Sequence, residues 1–199
     1  MTSNTPVRSS KVFRETRETR IEGSLLLDGR GTARIATGIG FLDHMLGAFA
    51  CHARLDLDLA CTGDLAVDDH HTVEDCALVL GALLDQALGN RAGIARFGYA
   101  YAPLDESLSR AVVDLATRPS ATVNLTLTRE KLGGLSTENA SHFFTSLATA
   151  GRLCLHLDVL RGVNDHHKLE SAFKAFALAM RSAVCRTGEG ELNSTKGVL

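Results

Sequence analysis

The chain has 199 residues, 45% of them hydrophobic and 22% charged, with a formal net charge of -2. It is long enough to bury a core, as one large domain or two fused small ones, and its charge excludes a basic nucleic-acid-binding surface. No apolar run reaches membrane-spanning length, and the N-terminal MTSNTPVRSSKVFRETRETR lacks the apolar stretch of a secretory signal, so a cytoplasmic protein is expected, with no membrane partner.

In chain order, residues 1–10 read as a flexible N-terminus. IEGSLLLDGRGTARIATG then puts Ile21, Leu25 and Leu27 at one parity beside the turn glycines of DGRG, which predicts a hairpin. Leu42, Met45, Leu46 and Phe49 recur at helical spacing around His44, and Leu55, Leu57 and Leu59 alternate as a strand. A second helix opens on Asp69-His70-His71, with Glu74 one turn further on. The run ARFGYAYAPLDESLSRAVVDLATRPSATVNLTLTR starts the next set, read as alternating strands broken at Pro103 and Pro119. His142 then leads a helix, RLCLHL a strand, and Asp165-His166-His167 a last helix with Glu170 and the core residues Ala172, Phe173, Phe176 and Met180. The five cysteines, odd in number and without a C-x-x-C pair, read as reduced and mostly buried.

The order of these signals repeats. His44 precedes His70 by 26 residues and His142 precedes His166 by 24, so a two-residue difference in the connection aligns the halves. The reading is an α+β fold made by tandem duplication, with halves at 11–93 and 94–199 packed closely as one catalytic unit.

The histidines explain why the helix starts are unusual. Residues four apart share a helix face while neighbours diverge by about 100°. His70 and Glu74 can therefore bind one ion together, as can His166 and Glu170; His71 and His167 must point elsewhere. Two ligand directions at each helix start suggest two metal sites. With His44 and His142, six imidazoles and two carboxylates divide into three histidines and one glutamate per ion, leaving open positions at a six-coordinate metal. Nitrogen and oxygen ligands without thiolate favour Mn, Fe, Co or Zn over Ca and argue against a closed structural zinc site. Asp69 and Asp165 are expected to cap the helices or to orient a ligand histidine. His52 and His156 have no duplicated counterpart and read as surface or capping residues as far as metal is concerned. Two other readings of such a ligand set are a dinuclear hydrolase with a bridging hydroxide and a metal-dependent assembly or storage protein.

The motifs GIGFLDHML, DDHHTVED, STENASHFF, NDHHKLESAFKAFALAMR and STKGVL, in order between about Arg14 and Leu199, closely resemble the imidazoleglycerol-phosphate dehydratase family. No phosphatase-like segment precedes them, so the monofunctional form is expected. The resemblance implies paired α+β halves (the ribosomal protein S5 domain 2-like fold) and a homo-oligomer of 24 subunits built from trimers, with metal sites at subunit contacts and two Mn2+ per active site. It implies conversion of a phosphorylated imidazole substrate, imidazole glycerol phosphate, to imidazole acetol phosphate plus water, in histidine biosynthesis. The carbon that loses its proton has no neighbouring carbonyl. The resemblance implies that a ring held as imidazolate by two metals would instead expel hydroxide from the adjoining carbon through a diazafulvene-like intermediate, which would make the next proton acidic.

Residue by residue, the resemblance matches Glu18 in RETRET to a substrate-contacting acid suited to proton transfer, with Asp105 in PLDE second and Glu170 as a ligand at the reacting centre. It matches Arg96, Arg118, Lys174, Ser194, Thr195 and Lys196 to phosphate and substrate contacts, and His52 to the edge of a substrate-contacting segment. The chain departs from the family at Gly40 and Asn193, where proline is common, at Thr195, where serine is usual, and after His52, where a glycine is usual.

Overall fold

The structure is a computed structural model that describes residues 7–188, 190 and 192–197. The first half runs β1 (Ser9–Glu15), β2 (Thr19–Leu26), β3 (Ala33–Ala36), α1 (Gly40–Ala53), β4 (Asp56–Gly63) and α2 (His70–Leu88). The second runs β5 (Phe97–Leu104), β6 (Ser107–Asp114), β7 (Ser120–Asn124), a short pair β8 (Lys131–Leu132) and β9 (Leu135–Ser136), α3 (Thr137–Ala150), β10 (Cys154–Arg161) and α4 (Asp165–Ala183). The two four-stranded sheets have equivalent orders, β1-β2-β4-β3 and β5-β6-β10-β7. In each, the last pair is parallel and the others antiparallel. The duplication read from the histidine motifs is thus a duplication of topology.

Three sequence expectations are corrected here. The segment around Asp28-Gly29-Arg30-Gly31 is not a hairpin: β2 pairs with β1 and β4, and β3 lies beyond β4, parallel to it. The Asp56 carboxylate accepts hydrogen bonds from the backbone N–H groups of Arg30, Gly31 and Thr32 at 2.8, 3.1 and 2.9 Å, pinning this loop to the start of β4 and steering β3 past it. A Cβ at Gly29 would stand 2.4 Å from the Asp56 nitrogen, so the close approach requires glycine. Pro103 does not break its strand. It lies within β5 opposite Leu108, and β5 is an edge strand, where the missing N–H costs no ladder bond. Finally, Ser9 and Ser10 of the expected flexible terminus begin β1, paired with Leu26 and Leu25, and the Ser10 hydroxyl donates to the Leu83 carbonyl at 2.7 Å. Residues 1–6 of that expectation lie outside the described residues.

The helices form a layer between the two sheets. α2 packs on β1 and β2, α1 on β3, α4 on β5 and β6, and α3 on β7, while α1 meets α4 and α2 meets α3. Alternation along the strands explains this: Ile21 and Leu25, Leu57 and Leu59, Ala111 and Val113, Leu155 and Leu157 are all buried, at every second residue of their strands. Aromatic rings join the helices. Phe49 stacks on Phe176 with centroids 5.2 Å apart, and Phe144 lies 4.7 Å from Phe173. Burying each such ring is worth about 1.5–3 kcal/mol. α2 and α3 approach backbone to backbone, because a Cβ at Gly81 would stand 2.6 Å from the Leu147 carbonyl oxygen.

Candidate metal centres

Each DHH-led helix is capped by the residue before its aspartate. Asp68 Oδ1 accepts from the His70 N–H at 2.8 Å and Asn164 Oδ1 from the His166 N–H at 2.9 Å. Asp69 and Asp165 are therefore not the capping side chains; both are buried and reach across to neighbouring segments. Asp69 accepts from the backbone N–H and hydroxyl of Ser136, at 2.8 and 2.6 Å, which ties the start of α2 to the start of α3. Asp165 accepts from the N–H groups of Thr128 and Arg129, both at 2.7 Å, and from Lys168 Nζ at 2.8 Å. Burial works against ionisation of Asp165, but these donors outweigh it and hold the carboxyl well below the usual range.

The pairing of helices brings first turns together and with them the predicted ligands. His44 of α1 joins His166 and Glu170 of α4: the two Nε2 atoms lie 3.2 and 3.1 Å from Glu170 Oε2. His142 of α3 joins His70 and Glu74 of α2, with His142 Nε2 at 3.2 Å from Glu74 Oε1 and His70 Nε2 at 3.9 Å from Glu74 Oε2. In each group the ligand atoms lie within 4.8 Å of one another. Metal–ligand bonds of about 2.1 Å at right angles separate adjacent donors by about 3 Å, so both groups fit a divalent ion with little movement. Burial opposes the Glu170 anion, but the Lys174 ammonium and then His44 and His166 more than compensate, pushing the carboxyl down to about 2.

His71 and His167 belong to neither group. Each ring is turned about 79° from its neighbour, with centroids 6.0 and 6.1 Å apart. His71 Nδ1 lies 3.0 Å from Asp64 Oδ2 and its Nε2 3.7 Å from Glu18 Oε1. His167 Nδ1 lies 2.8 Å from Glu106 Oε2 and its Nε2 3.8 Å from Asp105 Oδ2. Within one chain each group therefore holds two histidines and one glutamate, where equal division predicted three histidines. The Asp64 hydrogen bond raises the pKa of His71, and the Glu106 hydrogen bond raises that of His167. Glu106, held by the Asn164 N–H and then by His167, stays well below the ordinary carboxylate range.

Glu106 was missed in the sequence, where Asp105 drew attention. Glu106 immediately precedes β6 as Glu18 precedes β2, so extending the duplication to the strands identifies it. Asp64 and Asn139 were missed too: Asp64 bonds His71 Nδ1 from the loop seven residues before it, and Asn139 bonds His70 Nδ1 from 69 residues away, and no helix or strand spacing reveals either.

Among the substrate-site candidates, Lys174 Nζ lies 2.7 Å from Glu170 Oε1. His52, near the end of α1, stands close enough to feel both charges; burial first, and then Lys174, lowers its pKa. Arg96 forms a two-point pair with Asp114 at 2.7 and 3.0 Å, and its Nη1 donates to the Asn193 carbonyl at 2.5 Å. That contact brings the segment with Ser194, Thr195 and Lys196 beside the start of β5. Arg118 is exposed in the connection between β6 and β7. Glu18 thus stands with His71, while His52 and Lys174 stand with the His44 group.

A family model described as imidazoleglycerol-phosphate dehydratase matches residues 37–180. The imidazoleglycerol-phosphate dehydratase of Chlorobium luteolum is 54% identical over 197 residues, covering 99% of this chain and 98% of that protein. The one from Phaffia rhodozyma is 52% identical over 204 residues and the match covers 100% of both. A relative of the same name from Phytophthora nicotianae is 55% identical over 193 residues, and the match covers 97% of this chain but 43% of that protein. The crystal structure of imidazoleglycerol-phosphate dehydratase from Staphylococcus aureus superposes with a TM-score of 0.81 at 37% identity, covering 90% of this chain and 99% of that one. The enzyme structure from Pyrococcus furiosus gives 0.82 at 34% identity, covering 94% and 100%. Sequence likeness over nearly the whole chain and the same paired-half architecture agree: the chain belongs to the imidazoleglycerol-phosphate dehydratase family.

Proposed function

We propose that the two groups each hold one Mn2+ and that together they serve the dehydratase reaction of histidine biosynthesis, imidazole glycerol phosphate giving imidazole acetol phosphate and water. The observation that carries this reading is the pair of matched His-His-Glu triads, each assembled from two helix starts and related by the internal duplication. His44, His166 and Glu170 hold one ion; His70, Glu74 and His142 hold the other. When bound, such ions act as Lewis acids toward the ring nitrogens of the substrate and leave positions open for it. Each triad carries a single carboxylate, which disfavours the carboxylate-rich site of a dinuclear hydrolase.

His71 and His167 complete the ligand sets from neighbouring subunits. Their Nδ1 atoms are engaged by Asp64 and Glu106, so each presents Nε2 away from the triads of its own chain. This makes three histidines and one glutamate per ion and puts the active site at a subunit contact, as expected of a homo-oligomer of 24 chains built from trimers. Phe13 of β1 and Tyr99 and Tyr101 of β5 are more than half exposed, apolar area on each of the two sheets that suits burial between subunits. Glu18, beside His71 Nε2, takes the proton from the carbon that becomes the ketone, and a proton is delivered to the neighbouring ring-bearing carbon, which has lost hydroxide, as the enol ketonises, with Asp105 beside His167 as the second acid. Arg96, Arg118, Lys174, Ser194, Thr195 and Lys196 hold the phosphate, and His52 borders it. Arg96 is oriented for this by its two-point pair with Asp114. A cytoplasmic location belongs to the same proposal and rests on the biosynthetic role of the family; separately, among the described residues no helix is long and apolar enough to cross a membrane.

The test is to incubate the manganese-loaded protein with imidazole glycerol phosphate, follow the ketone product, and measure bound metal and particle mass. Ketone formation with two Mn2+ per chain is the expected result. Release of inorganic phosphate without ketone would favour the hydrolase reading, and metal binding without turnover would favour an assembly protein.

A further inference from the structure

The two triads are alike by duplication but differ in what stands behind them. Asn139 of α3 and Phe41 of α1 occupy corresponding positions, each three residues before its triad histidine; Lys174 of α4 and Leu78 of α2 correspond likewise, each four residues after its glutamate. Asn139 is 4% exposed, and its Oδ1 lies 3.0 Å from His70 Nδ1. Asn139 meets His70 through its amide oxygen, which can only accept, so the His70 ring donates from Nδ1. The proton on His70 then sits at Nδ1, and the lone pair at Nε2 faces Glu74 and His142. At His166 the corresponding neighbour is the Phe41 ring, edge-on at 5.0 Å, which restrains the imidazole without selecting a tautomer. The carboxylates differ as well. Both oxygens of Glu74 face imidazoles, whereas Glu170 Oε1 is engaged by the Lys174 ammonium at 2.7 Å.

We infer that the triads are unequal metal sites, that His70, Glu74 and His142 load a divalent cation first and more tightly, and that Asn139 is the positioning residue responsible. The inference rests on the reading of the triads as metal sites. At the His70 triad the ligating tautomer exists before metal arrives, and among the described residues no lysine or arginine pairs with the glutamate. At the His44 triad a proton must be placed on binding, and the incoming ion meets a positive charge already on its carboxylate. Partners behind a ligand histidine are worth about 10–100-fold in metal affinity, enough to separate two binding classes.

The experiment uses the full-length protein stripped with chelator and titrated with Mn2+, read by calorimetry and by the electron paramagnetic resonance signal of free Mn2+. Two classes separated by at least about 10-fold are expected. Glu170→Gln should abolish the weaker class alone and so assign it. Asn139→Leu should weaken the tighter class by about 10–100-fold, leaving the weaker class in place. Lys174→Met should tighten the weaker class only. Two ions bound with one affinity, unmoved by Asn139→Leu and Lys174→Met, would overturn the inequality while sparing the metal reading. Weakening of both classes alike by Asn139→Leu would also overturn it. Failure to bind Mn2+ at all would instead remove the metal reading on which it rests.

Discussion

Replacing Arg91 with methionine removes a buried cation at the junction of the two halves. Arg91 is 2% exposed and follows α2. Its Nη1 donates to the carbonyls of Leu115 at 3.0 Å and Arg152 at 2.7 Å, and its Nη2 to the carbonyl of Gly151 at 2.8 Å and to Asp85 Oδ1 at 2.5 Å. One guanidinium thus joins the end of α2, the segment after β6 and the turn that closes α3, where helix carbonyls lack internal partners. Burial lowers its pKa and Asp85 opposes that, and an arginine stays charged under both. Methionine fills much of the same volume but leaves three carbonyls and a carboxylate short of donors. Hydrogen bonds to a charged group are worth about 1.5–3 kcal/mol each, but they are not additive. Arg152 Nη1, 3.7 Å from Asp85 Oδ2, takes over part of the pairing. The range for breaking a buried ion pair, about 3–5 kcal/mol, is therefore the appropriate magnitude. At this chain length each kcal/mol shifts Tm by about 2–4 °C, so a fall of roughly 6–20 °C is expected. The assay is thermal unfolding by circular dichroism at equal protein concentration in excess chelator, which removes the contribution of bound metal. Arg91→Lys, with the charge but fewer donors, should fall between. A loss below about 2 °C for the methionine variant, less than 1 kcal/mol on this scale, would refute the idea that this cation holds the junction.

Glu18→Gln should reduce turnover by at least about 100-fold while the protein keeps two Mn2+ per chain; near-normal turnover would move proton transfer to Asp105. Asp64→Asn should destabilise the metal-free protein more at pH 5.5 than at pH 9 in paired melting curves. The Asp64 hydrogen bond raises His71 in the folded state, so its stabilisation is full below the unfolded value of about 6.5 and fades as pH climbs through the raised one. Equal losses at the two pH values would contradict that assignment. Chelation at neutral pH, or acidification below about pH 6, should release metal, because protons compete for the imidazoles, and should convert the large particle to a smaller inactive species that Mn2+ restores at neutral pH. Light scattering and activity on the same samples check this, and a particle that keeps its full mass while activity falls would separate chemistry from assembly.

What was legible in the sequence was what depends on spacing along the chain. Helical geometry alone pairs His70 with Glu74 and His166 with Glu170 and turns His71 and His167 away, and all of these orientations are found in the folded chain. Strand alternation identified the buried residues of β4, and the repeated motif order identified the paired α+β halves. Tertiary structure decided whatever required distant segments to meet. That β4 enters between β2 and β3 depends on the grip of Asp56 on the preceding loop, and the continuity of β5 through Pro103 depends on its place at the sheet edge. Which histidine joins which pair was open in the sequence. It is settled because α1 packs against α4 and α2 against α3, so each triad draws on both halves of the duplication. The contacts of Glu106 and Asn139 with histidines likewise form only once those elements are packed, since hydrogen bonds between remote residues leave no period to read, and the Asp64 contact with His71 depends on the loop between β4 and α2.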